Sequence, residues 1–388
     1  MFKEKKQLVF ILLAFLVACI KPYDFDPQNF DKVLVVDGHI SDELGPHTVS
    51  INYTYPLDTV LNEYINNAQV WIEVGDGSRV DLNPTENGTY ETAAAFRGVP
   101  NQTYQLNILL QNGEEYRSEP ELLLKAPEVA DIYGRYTSLP NANEDRNVGG
   151  IQFFIDSEEN SEVKYFRYEY EEAFKIQTPY PALYKFVPED TSLILLDTLI
   201  GICYKEGKSN QLIYGTTNGT SEQKMVEFPI RFVSEEDQLL RTRYALLVKQ
   251  YAISESAYLF YKRLNENNES GGSLFDQQAG TVLGNIYAPN DPDRAILGYF
   301  EASGVSTKRK FFSRRELSDQ LTIARFPYQC NSVEATVTTL DSAAYYLEIT
   351  DGNIYYYDFF TNEIAIHSRG CTDCSFYADP IPPSYWEN

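Results

Sequence analysis

Histidine, methionine and tryptophan are nearly missing from this 388-residue chain, which holds three, two and two of them. A serine hydrolase relay needs a histidine base, and only His39, His47 and His367 are available. His39 and His47 are expected at loop or strand-end positions, not in catalysis. No Gly-x-Ser-x-Gly, His-Glu-x-x-His, phosphate-cradling loop or dinucleotide fingerprint occurs. No catalytic residue and no cofactor is therefore expected. Positive charge is scarce as well: 32 Lys and Arg stand against 56 Asp and Glu, a formal charge of -24, which disfavours nucleic acid and anionic membrane surfaces as partners. Beyond the first twenty residues no apolar run approaches the ~20 residues needed to cross a bilayer. Tyrosine, in contrast, is abundant at thirty, with twenty-two phenylalanines, a composition that suits strands better than helices.

The start of the chain reads as an address. Lys3, Lys5 and Lys6 precede the apolar run Leu8 to Val17, and Lys21 with Pro22 ends it. That pattern predicts a signal peptide over residues 1–18. Leu16-Val17-Ala18-Cys19 resembles the bacterial lipoprotein box, which implies acylation of Cys19 and a lipid anchor strengthened by ~0.8 kcal/mol per buried methylene. Residues 19–32, with no period and two prolines, read as a tether. Asp24 and Asp26 follow the cysteine and resemble surface-export signals, so the exterior is the expected side of the membrane. Four cysteines remain: Cys203, Cys330, Cys371 and Cys374. An even number in an exported chain predicts disulfides, with three connectivities open. A Cys203 to Cys330 bridge would enclose a long loop and contribute ~4 kcal/mol in the chain-entropy model. The Cys371-x-x-Cys374 spacing also fits zinc or redox chemistry, but zinc wants a second pair of soft ligands, and no metal is expected.

Short apolar runs separated by turn signals fill residues 33–127. Asp76-Gly77 and Asn112-Gly113 lie between strand-like runs and predict hairpins. The segment reads as a β-sandwich similar to immunoglobulin-like or transthyretin-like modules. "KAPEVADI", residues 125–132, marks a boundary, and residues 128–388 read as a larger β-rich α+β domain, making the fold mainly β. In it, Phe166, Tyr168 and Tyr170 alternate with Arg167, Glu169 and Glu171, one aromatic face against one charged face. Tyr244 to Val248 is apolar at both parities, as a strand buried on both sides should be. Directly after it, Ser254 is placed to cap a helix with Ala257, Phe260, Tyr261 and Leu264 on one face. The tail from Cys371 onward is too proline-rich for regular structure.

The stretch "YALLVKQYAISESAYLFYKRLNENNESGGSLFDQQ", its continuation to Phe312, and "LVVDGHISDELGPHTVSI" near the start carry a resemblance, together with Cys203-Tyr204 and a tail of Cys371, Cys374, Pro383, Tyr385 and Trp386. They resemble a family of Bacteroidota outer-membrane lipoproteins catalogued as domain of unknown function forty-two forty-nine, over essentially the whole mature chain. The family tail tends to be richer in glycine and basic residues after its cysteine pair. The resemblance implies an outer-membrane lipoprotein, commonly encoded beside TonB-dependent transporters, and no particular activity.

Aromatic clusters supply the binding candidates: Tyr258, Tyr261, Tyr355, Tyr356 and Tyr357, since exposed tyrosines stack on sugars or grip peptides while buried ones are ordinary core. A basic island, Lys308, Arg309 and Lys310 with Arg314 and Arg315, suits an acidic partner or ligand, or else a charged strand edge that discourages aggregation. Asn290, Asp291 and Asp293 offer oxygens for calcium, although a capped turn explains them as well. Asp58-Thr59-Val60, Asp197-Thr198-Leu199 and Asp341-Ser342-Ala343 resemble the O-glycosylation triplets of exported Bacteroidota proteins. The expected function is a non-enzymatic accessory or ligand-capture subunit of a TonB-dependent transporter. The alternatives are a structural subunit of an outer-membrane assembly, secretion or adhesion complex and, further off, a hydrolase using paired carboxylates.

Overall fold

A computed structural model describes residues 32–54, 63–141, 146–197, 200–270, 282–322, 324–330 and 335–387. The signal segment and Cys19 lie outside the described residues. The chain is mainly β, as its composition predicts. Its first part holds β1 (Leu34–Ser41), β2 (Thr48–Tyr53), β3 (Glu63–Tyr64), β4 (Gln69–Val74), β5 (Arg79–Pro84), β6 (Thr89–Glu91), β7 (Thr103–Leu109), β8 (Glu115–Ser118) and β9 (Glu121–Leu122). Both predicted hairpins form, β4 with β5 and β7 with β8. Gly77 and Gly113 adopt φ of +85° and +86°, which glycine reaches without a Cβ clash. The Asp76 and Asn112 side chains each accept the backbone N–H two residues on.

Then come β10 (Val129–Pro140), β11 (Asn147–Ser157), β12 (Tyr165–Gln177), β13 (Tyr184–Val187), β14 (Ser192–Leu195), β15 (Ile202–Lys208), β16 (Ile213–Thr216), β17 (Phe228–Ser234) and β18 (Arg243–Ile253). Helix α1 (Glu255–Ser270) follows, then β19 (Ile286–Tyr287), β20 (Ile296–Ser313), β21 (Ala335–Val337), α2 (Leu340–Thr350), β22 (Gly352–Asp358) and β23 (Glu363–Ser368). The predicted cap is in place: Ser254 Oγ accepts the Ala257 N–H.

The strands join into three sheets. The largest runs β15-β12-β18-β20-β1-β2-β6-β5-β4-β7-β8-β19, and β10-β11-β17 and β14-β13-β22-β23-β21 form the others. The N-terminal unit therefore does not close within its own segment. β1 pairs in parallel with β20 from Leu34 opposite Ile296 to Ser41 opposite Ser303, and β8 pairs with β19. Phe300 and Ala302 of β20 join Val36, Ile40, Ile72 and Leu106 in its core. Gly298 makes the approach possible: its φ is +98°, and a Cβ there would lie 1.8 Å from the Val36 carbonyl oxygen.

A second core begins at Ala126. Phe166, Tyr168 and Tyr170 of β12, with Leu246 and Val248 of β18, pack on Ile151, Phe153 and Ile155 of β11. Each such fully buried side chain contributes ~1.5–3 kcal/mol. Strand β18 lies between β12 and β20, the central position its apolar run predicts. The third sheet and α2 enclose a smaller core around Ile354, Ile364 and Ile366.

Candidate functional site

Because β12 buries its aromatic residues on one face, its charged residues share the other, and the neighbouring strands extend that face in register. Arg167 lies opposite Tyr251, which lies opposite Val305. In the next row Glu169, Lys249 and Thr307 are level. Below it come Lys208, Glu171, Leu247 and Arg309, then Glu206, Ala173, Ala245 and Phe311. The result is an array whose spacing is set by the hydrogen-bonded strands. One end is covered by α1, the other by the C-terminal tail, and the middle rows are open.

Under α1 the charged face is buried, unlike an ordinary solvated strand face. Arg167 forks onto Glu301, Nε to Oε2 and Nη2 to Oε1, both at 3.0 Å, and also bonds Glu169. Its guanidinium stacks on Tyr251, 4.2 Å from the ring centre. The Tyr261 hydroxyl of α1 donates to Glu301 at 2.7 Å. Burial would raise the Glu301 carboxyl, but Arg167 and His39 outweigh it and hold it at about 2. Burial lowers His39 to about 4, with Glu301 opposing and Arg167 adding to the fall.

Ser303, His39 and Glu301 also meet here, and their hydrogen bonds run against a nucleophile relay. Ser303 Oγ donates to Glu301 at 2.7 Å, so the His39 Nε2–H, at 3.0 Å, donates to that same Oγ. A relay needs the hydroxyl proton aimed at the imidazole and the acid on the opposite ring nitrogen. Here Nε2 faces both groups, with Glu301 at 3.4 Å. The cluster is a structural joint between β1, β12, β20 and α1.

At the other end two disulfides strap the tail to the sheet. Cys203 of β15 bonds Cys374, and Cys330 bonds Cys371. The Cys203 to Cys330 pairing weighed from sequence does not form, because Cys203 lies on the strand over which the tail crosses. Tyr204 and Asp379 then form a bridge by exchanging backbone hydrogen bonds. Trp386 sits between Tyr204 and Phe311, at ring separations of 4.9 and 5.4 Å. In the sheet the small Ala173 and Ala245 lie between Glu206 and Phe311, and Tyr204 is one row further along, opposite Lys175. Tyr385 lies over the Arg309 guanidinium and donates to Glu206 at 2.6 Å. Burial and that carboxylate push its hydroxyl up to about 12.

Two hollows, of about 410 and 560 Å³, adjoin the array, the larger one against the tail. The first is lined by Glu169, Glu171, Lys208, Gln211 and Lys249, the second by Arg243, Arg309, Ser313, Glu316 and Tyr385. Lys249 stands 3.6 Å from Glu171 and 3.8 Å from Glu43, too far for a hydrogen bond to either. These charges attract one another loosely, and a ligand carrying hydroxyls, amides or charges can replace the contacts. A polar ligand lying across the strands fits the array.

A family model described as Domain of unknown function (DUF4249) matches residues 20–309. The chain belongs to the DUF4249 family. No curated protein matches it. The DUF4249 match ends inside β20, so Cys330, Cys371, Cys374 and the strapped tail lie beyond it, a narrower extent than the resemblance read from sequence.

Within this DUF4249 fold the sequence candidates scatter. Tyr261 is part of the buried joint, and Tyr258 packs against Tyr165 and Tyr214 at ring distances of 5.0 and 5.6 Å. Tyr355 rests on Tyr180, Tyr357 lies between Tyr184 and Phe359, and Tyr356 is exposed. Much of the basic island turns inward: Lys308 donates to the Ala130 carbonyl, Lys310 pairs with Asp131 at 2.7 Å, and Arg314 donates to the Leu321 carbonyl. Asp291 sits in a turn and accepts from Arg294, as the capped-turn reading expects. Among the described residues no three His, Cys, Asp or Glu gather as metal ligands do. His39 is inside strand β1, not at a loop or strand end, because β20 continues the sheet beside it. His47 does follow the β1–β2 loop. Sequence reading missed the Arg167 to Glu301 pair. Its signal was Glu301 as a lone charge in "ILGYFEASGV", a run otherwise fit for a buried strand.

Proposed function

We propose that this DUF4249 protein is a non-enzymatic lipoprotein, anchored through Cys19 at the outer membrane and facing the cell exterior, that captures a polar ligand for a TonB-dependent transporter. What carries the reading is the open part of the β15-β12-β18-β20 face, where Lys249 is held only loosely by Glu171, Lys208 lies opposite Glu171, and the hydrogen-bonded strands fix their spacing between two covers. Rigid presentation lowers the ordering cost of binding. The lipoprotein box and two disulfides accord with export to an oxidising compartment. The transporter itself enters through the family resemblance, and the immunoglobulin-like character of residues 33–127 stays part of this proposal.

The test is an affinity pull-down of the tagged, full-length protein from gently solubilised outer membranes, followed by mass spectrometry. One TonB-dependent transporter in near-equal amount is expected, and Cys19→Ser should move the protein out of the membrane fraction. Recovery of several assembly or secretion components would favour the structural-subunit reading, to which the exposed aromatic tip described below also lends weight. Recovery of the protein alone would overturn the proposal.

A further inference from the structure

The small module built from β13, β14, β21, α2, β22 and β23 differs from the rest of the molecule in what it leaves on its surface. Phe360 is 98% exposed, Phe359 71%, and Leu195 61%. Tyr345 and Ile349, one turn apart on α2, and Ile194 beside Leu195 are exposed as well. Leu195 and Phe359 are linked through two tyrosines. Leu195 pairs across the hairpin with Tyr184, whose ring meets Tyr357 at 5.9 Å, and Tyr357 meets Phe359 at 4.6 Å. A fold of this size ordinarily scatters its exposed apolar groups singly, and their concentration marks an interaction surface.

The tip is held in shape without a partner. Asp358 accepts the Phe360 N–H at 2.8 Å and the Thr361 N–H at 3.4 Å, and the Tyr357 hydroxyl donates to Asn362 at 3.1 Å. Asn362 adopts φ of +57°, which closes the turn. Two phenylalanines are therefore presented on a preorganised hairpin, with little ordering left to do on binding.

Charge narrows the occupant. Between residues 184 and 197 and between 335 and 368 there are eight carboxylates and a single cation, Lys185. Among the described residues none of the eight forms an ion pair, whereas Glu169, Glu172 and Glu301 elsewhere all do. A second copy of the chain meeting it face to face would bring an equally acidic module, and in any other orientation a chain of formal charge -24. An anionic lipid surface would repel it in the same way. We infer that the module docks on another protein, through an apolar hollow that takes Phe359 and Phe360 and a rim of Lys and Arg that meets carboxylates such as Glu348 and Glu363. This rests on the reading of the chain as a subunit that works beside a membrane protein, and it names the surface that makes the contact.

The experiment places the photo-crosslinking residue p-benzoylphenylalanine at position 360, and separately at Thr307 on the open sheet face, in the full-length protein in its own membranes. The cross-linked peptides are then sequenced by mass spectrometry. Position 360 is expected to capture one peptide of another outer-membrane protein, apolar with flanking Lys or Arg. Phe359→Ala with Phe360→Ala should weaken the purified complex at least about thirtyfold, as central aromatic anchors do. Glu348→Lys should weaken it further at low salt than at high salt. Cross-links from 360 to a second copy of this chain, to lipid alone, or to a peptide without basic residues would overturn the inference. If Thr307 captures a partner and position 360 does not, the docking inference falls and the capture function stands. If neither position captures a protein, both fall.

Discussion

Replacing Arg167 by methionine is the sharpest test of the buried joint. Methionine keeps an unbranched stem against Tyr251 and removes the charge. Glu301, its partner, has 1% of its side chain accessible, and Arg167 itself 10%. Breaking a buried pair by removing one member typically costs ~3–5 kcal/mol, because the other charge is left enclosed. The loss should depend on pH with a definite sign. In the native protein Glu301 lies below its ordinary 4.5, so its stabilisation is complete above that value and is lost only as pH falls toward about 2. Without Arg167, burial dominates and raises the carboxyl above 4.5. A carboxyl raised on folding destabilises at high pH, and that cost fades as pH falls through the raised value. His39 works in the same direction, since Arg167 is one cause of its lowered value, and a protonated ring can then replace the missing cation beside Glu301. Urea unfolding followed by circular dichroism, with disulfides oxidised, should show the full deficit at pH 8 and a smaller one at pH 5. Adding Glu301→Leu should recover part of it at pH 8. A deficit below about 1 kcal/mol at pH 8, or one of equal size at pH 5, would refute the reasoning.

Other outcomes follow from the same geometry. Removing the Cys203 to Cys374 bridge, whose partners are 171 residues apart, should cost ~5 kcal/mol in the chain-entropy model, against ~4 for the 41-residue Cys330 to Cys371 loop. It should also free Trp386, so that in a Trp71→Phe background the emission shifts to the red; unchanged emission would contradict the strapped tail. Gly298→Ala places a Cβ 1.8 Å from the Val36 carbonyl oxygen and should part β1 from β20, seen as faster hydrogen exchange at Val36 and Gly38. Native exchange rates there would rule out the close approach. His39 is lowered from 6.5 to about 4, so folded protein should lose stability as pH falls from 6.5 toward 4. His39→Gln should flatten that part of the profile, and an unaltered slope would count against a half-buried ring kept neutral.

How much of this could be read from the chain divides by distance along it. The Asp76-Gly77 and Asn112-Gly113 hairpins, the cap at Ser254 and the central strand after Arg243 depend on neighbours a few residues away, and all appeared where their local chemistry put them. The pairing of β1 with β20 and of Arg167 with Glu301, 134 residues apart, has no local signature. Alternation in β12 separated aromatic from charged residues correctly, yet periodicity cannot say that a helix will cover the charged side. The basic island misled for a related reason: its carbonyl and carboxylate partners, Ala130 and Asp131, come from β10, some 180 residues earlier. Phe359 and Phe360 sat beside the tyrosine run that was singled out, but only a hairpin turn with Asp358 as its acceptor shows that they point outward.

The parallel pairing of β1 with β20 also sets an order of events. A chain that appears amino end first releases residues 34–41 long before residues 296–303, so β1 waits for its neighbour until three-quarters of the polypeptide has appeared. Non-local parallel pairing of this kind forms slowly and leaves an unpaired edge in the meantime. On the export route proposed above, the chain is therefore a natural client for holding factors that shield one apolar edge. A version truncated before β20 should aggregate instead of yielding a smaller folded domain.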